Sequence, residues 1–137
     1  MSDAARWMVA MAFISLPTIA FGGYFLLSIL RKQAGTEGIT PEQRDYFRAG
    51  HAHAGVLVIL AIIGQLVLEN SRFGDGLTWT LRLGLFLAPL LISAGFFGGA
   101  PRTQGGSTTA LIKLIPLGAV VLGLSTIGTG VSLLIPA

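Results

Sequence analysis

The sequence predicts an all-α integral membrane protein: a four-helix bundle in one domain, both termini on the same side. Three observations predict it. Hydrophobic residues make up 53% of the 137-residue chain and charged residues only 11%, where a soluble domain carries roughly a quarter charged. The mean hydropathy is +0.76. The apolar residues fall into four continuous runs, each near the ~20 residues that cross a bilayer. A single water-soluble core of this size would leave too much of that surface wet. Unbroken runs also argue for helices, because barrel strands alternate.

The first run is Trp7–Leu30, between Arg6 and Arg31-Lys32. It is too long for a signal-peptide core, and no small-residue cleavage pattern follows, so a retained helix is expected. The next stretch, Arg31–Thr40, is polar and carries Gly35 and Gly38. Thr40-Pro41-Glu42-Gln43 then reads as a helix start, with Thr40 as N-cap, Pro41 at the first helical position and Gln43 reaching back. Helix two therefore begins near Pro41, and its polar first turns precede the apolar run Ala49–Leu68. Tyr46 suits the headgroup level. A short turn around Gly74-Asp75-Gly76 leads to the third run, Leu77–Ala100, which stops at Pro101. The Gly-rich loop Pro101–Ser107 leads to the fourth, about Thr108–Ile135. Pro17, Pro89 and Pro116 fall inside runs, where each frees a carbonyl and invites a kink. The abundant span glycines are read as packing residues that let helices approach.

Loops one and three, with their flanking helix ends, hold Arg31, Lys32, Arg44, Arg48, Arg102 and Lys113. The opposite side holds Arg6, Arg72 and Arg82. The bias places loops one and three in the cytoplasm and the termini outside, as in a bacterial inner membrane. The formal charge is +3. No basic run concentrates it, so lipid headgroups rather than nucleic acid are the expected partner. Arg82 and Lys113, near span starts, are expected to snorkel to the interface.

Ionisable groups inside a bilayer are functional candidates, and few are present. No Asp or Glu lies mid-span, which weighs against a proton pump. There is no carboxylate pair, nucleophile elbow, metalloprotease motif or phosphate-cradling loop, which weighs against hydrolases. There is no cysteine, which excludes thiol chemistry, disulfides and Cys-ligated metals. The only histidines, His51 and His53, sit in Gly50-His51-Ala52-His53-Ala54-Gly55. On a helix, residues two apart diverge by about 200°. One metal ion therefore cannot take both, but two separate ligands can. The small neighbours give the clearance that a flat cofactor needs, and that a tight helix crossing needs equally.

The stretch Gly50–Leu57 resembles the His-x-His helix of haem–copper oxidase catalytic subunits and of short membrane proteins similar to them. There, the two histidines of such a helix face two haems. The resemblance covers about eight residues and implies that His51 and His53 are axial ligands of haem b, or metal ligands. Arg48 and Lys113 would then neutralise propionates. The further histidines that those proteins bring from other helices are absent here. A second axial ligand would come from another copy of the chain, or from Met8 or Met11. The expected role is electron transfer or gas sensing. The alternative is a cofactor-free accessory subunit of a larger membrane complex, or a homo-oligomeric pore or transport protein.

Overall fold

The computed structural model describes residues 1–136. Four α-helices account for most of them, and no strand is present among the described residues: α1 (Asp3–Leu30), α2 (Pro41–Val67), α3 (Asp75–Gly99) and α4 (Leu114–Leu134). Short 3-10 turns, Leu68–Asn70 and Ala110–Lys113, extend α2 and precede α4. All four helical segments are long and apolar enough to cross a membrane.

Capping chemistry sets the ends. Helix α1 begins one turn before its apolar run, because the Ser2 hydroxyl accepts the Ala5 N–H at 3.3 Å and Asp3 pairs with Arg6 at 3.0 Å. The capping box of α2 forms as its sequence predicts: Gln43 N–H donates to Thr40 Oγ1 at 3.1 Å, and Thr40 N–H donates to Gln43 Oε1 at 3.0 Å. Thr109 finishes α3, its hydroxyl donating to the Gly98 carbonyl at 2.6 Å and its N–H to that of Gly99 at 3.1 Å. The fourth helix differs from expectation at its start. It winds up through a 3-10 turn and becomes α-helical only at Leu114. Pro116 thus lies in the first turn, where its missing N–H costs little and forces no kink. Both α1 and α3 run on past Pro17 and Pro89.

The bundle is an open row. Helix α3 packs on α2 along one side and α4 along the other, while α1 leans on α2 and barely touches α3. Glycines make the close approaches. A Cβ at Gly95 would lie 2.9 Å from the backbone nitrogen of Ile115, and one at Gly64 2.5 Å from Leu85 Cδ1. Leu57, Ala61, Leu68, Leu81, Leu85 and Ile92 belong to the buried apolar set, with Ala5, Ala12, Ala88 and Ala100. Helix α4 buries hydroxyls instead, and Thr129 and Ser132 satisfy theirs on their own helix, at the Ser125 and Thr129 carbonyls, both at 2.7 Å.

Ser2 bonds to Glu69, and Gly128 of α4 packs on Leu81 near the start of α3. The start of α1, the α2–α3 turn and the end of α4 therefore share one end of the molecule. Loops one and three share the other. At that second end a chain of rings ties three helices together, Phe25 to Phe47 at 6.0 Å and Phe47 to Phe97 at 5.9 Å.

Candidate functional site

The two histidines leave α2 on opposite sides, as their spacing requires. His51 lies against α1. A Cβ at Gly22 would come within 3.3 Å of its Nδ1, and one at Gly23 within 3.3 Å of its Nε2, so these glycines make the room for the ring. Beside it, helices α1, α2 and α3 enclose a recess of about 210 Å³. Its walls are apolar apart from His51 and the hydroxyls of Ser15, Thr18 and Ser93. Ser15 and Thr18 donate to carbonyls of their own helix at 2.7 and 2.6 Å. Ser93 Oγ is buried and has no partner.

His53 lies on an exposed face. Its Nδ1 is 2.7 Å from the Ala49 carbonyl, and its ring stacks on Phe96 with centroids 4.8 Å apart. A carbonyl only accepts, so Nδ1 carries the proton and a neutral ring keeps its lone pair on Nε2. Ala52, Val56 and Leu57 line a shallow groove beside it. Arg48 shares a neighbouring recess with Asp45, Ala49 and Ala52, and pairs with Asp45 at 3.7 Å.

The predicted site residues do not converge. Lys113 belongs to the turn that packs on the end of α3, and lines neither recess that holds an imidazole. Met11 precedes Gly22 by 11 residues, roughly 16 Å along the axis, and Met8 lies farther still. Neither methionine can complete a site at His51. An apolar cavity of about 150 Å³ holds one benzene ring. The His51 recess, at about 210 Å³, is therefore large enough for one substituted ring. Among the described residues, no three His, Cys, Asp or Glu side chains are placed to hold a metal ion.

Arg82 corrects a second expectation. It does not snorkel: the residue is buried, with 4% of its surface exposed. Nη1 donates to the Gln65 carbonyl at 3.0 Å and to Gln65 Oε1 at 3.1 Å, and Nη2 donates to Glu69 Oε1 at 2.6 Å. Gln65 returns a bond from Nε2 to the Arg82 carbonyl at 2.9 Å. The hydroxyl of Ser2 donates to the same carboxylate at 2.7 Å, which fastens the start of α1 to the α2–α3 pair. The signal lay in the sequence as Gln65 and Glu69, four residues apart and so on one face where α2 runs into its 3-10 extension. No family model, no curated protein and no solved structure matches the chain.

Proposed function

We propose that the chain is an integral membrane protein that takes one axial ligand position of a haem b through His53, as a homo-oligomer or as a subunit of a larger membrane complex. In this reading loops one and three face the cytoplasm of a bacterial inner membrane, as their basic residues favour. One observation carries the proposal: His53 is fixed by the Ala49 carbonyl at Nδ1 and left exposed on α2. Histidine ligands commonly have this arrangement, with one nitrogen held by an acceptor and the other on the metal. A polar nitrogen facing hydrocarbon without a partner is costly, and a bond to iron removes that cost. The likeness of Gly50–Leu57 to a haem-binding helix points the same way. Ala49 and Ala52 leave space beside Arg48, whose partner Asp45 a propionate would replace. His51, Met8 and Met11 lie elsewhere, so the second ligand must come from another chain. Bound haem supplies one-electron transfer or gas binding.

Titrating the purified protein with haem tests this. The expected result is a Soret band that saturates at one haem per two chains, or one per chain in a hetero-complex, and is lost in His53→Ala. A band that survives His53→Ala refutes it.

A second reading is assembly without a cofactor. It is favoured by the face of α4 that carries Ala119, Gly123 and Gly130, where a Cβ at either glycine meets nothing within 4 Å. Small residues at such spacing suit helix–helix contact in lipid. A discrete oligomer that persists in the His51→Ala/His53→Ala protein, with no colour, would favour it over the first.

A further inference from the structure

We propose that the recess beside His51 binds the ring of a neutral, bilayer-dissolved quinone or quinol. The inference shares the membrane reading above but uses the opposite face of α2, and does not depend on haem.

Two residues that line the recess carry polar side-chain atoms without partners. Ser93 Oγ is buried with no hydrogen bond. A helical serine normally satisfies its hydroxyl on a carbonyl of its own helix, as Ser15 and Ser28 do here. His51 makes no hydrogen bond through either ring nitrogen among the described residues, although His53 does. An unsatisfied donor away from water carries a desolvation penalty that a ligand oxygen would relieve.

The rest of the recess limits what that ligand is. No charged side chain lines it, so an anion or cation would enter uncompensated. Its volume of about 210 Å³ exceeds the ~150 Å³ that holds benzene by room for a few substituent atoms. Phe97 contributes an aromatic wall. Because α1 and α3 barely touch, a hydrocarbon tail can leave between them into lipid. Imidazole and hydroxyl each donate and accept. They therefore suit the acceptor oxygens of a quinone and the donor hydroxyls of a quinol alike.

The test uses the full chain in nanodiscs with a tritiated, decyl-tailed benzoquinone as probe. Saturable binding at one probe per chain is expected. Ser93→Ala and His51→Ala should each weaken it roughly two- to tenfold, the range of one hydrogen bond. Ala54→Leu, which fills the recess, should abolish it. His53→Ala should leave it unchanged, so this inference and the haem reading fail separately. Dodecanol, a tail with no ring, should not compete. Thermal unfolding of Ser93→Ala, at or above the wild-type temperature, separates lost binding from lost folding. Linear uptake without saturation overturns the proposal, as does wild-type binding by Ala54→Leu or equal competition by dodecanol.

Discussion

Replacing Arg82 by leucine should be among the most damaging single substitutions in this chain. The guanidinium makes three hydrogen bonds, two to Gln65 and one to Glu69. Leucine leaves the buried Gln65 Oε1 without its donor and leaves Glu69 with Ser2 alone. Removing one partner of a buried ion pair costs about 3–5 kcal/mol. Glu69 keeps 22% of its side chain exposed and retains Ser2, so the lower end applies, about 3 kcal/mol. Arg82→Lys keeps the charge but offers a point donor in place of a fork, and should lose about 1–2 kcal/mol. The pairwise term should appear in a cycle with Glu69→Leu, where the double variant costs less than the two singles summed. Unfolding in mild detergent can be followed by the fluorescence of Trp79, which lines the recess next to Arg82. The reasoning is wrong if Arg82→Leu unfolds within about 0.5 kcal/mol of wild type, the value of an ordinary surface substitution.

Other outcomes follow from the same structure. Gly95→Ala should destabilise by about 1–3 kcal/mol, because its Cβ meets the backbone of Ile115 and α4 must move. Gly123→Ala meets nothing within 4 Å and should stabilise by up to about 1 kcal/mol through helix propensity. Thermal unfolding of the two variants measures both. Thr40→Ala removes the α2 cap and should cost about 1 kcal/mol, read in the same assay. Because the chain has no cysteine, single cysteines report sidedness cleanly. Thr36→Cys and Thr103→Cys should be protected from a membrane-impermeant thiol reagent in intact cells, and Ser71→Cys should react.

Much of the architecture is legible in the sequence because few forces set it. Long apolar runs demand helices, and Thr40-Pro41-Glu42-Gln43 carries its own capping chemistry. The start of α4 was not legible, since whether Ala110–Lys113 winds as 3-10 or α depends on how Leu111 and Ile112 meet Gly98 and Gly99. The opposite directions of His51 and His53 followed from helical geometry alone. What each imidazole meets depends on neighbours distant in sequence: Gly22, Gly23 and Ser93 for one, Phe96 for the other. Arg82 departs from expectation because a lone arginine near a span end usually reaches for water. Its partners lie on another helix, 13 and 17 residues away. Gln65 is uncharged, so no charge in the sequence marks it as a partner.

The proposal at His53 is tested most directly by the absorption spectrum of protein purified from haem-supplied cells, compared among wild type, His51→Ala and His53→Ala. The account predicts a Soret band in wild type and in His51→Ala, and none in His53→Ala, with all three proteins folded. Colourless wild-type protein would contradict it, as would colour lost from His51→Ala and kept in His53→Ala.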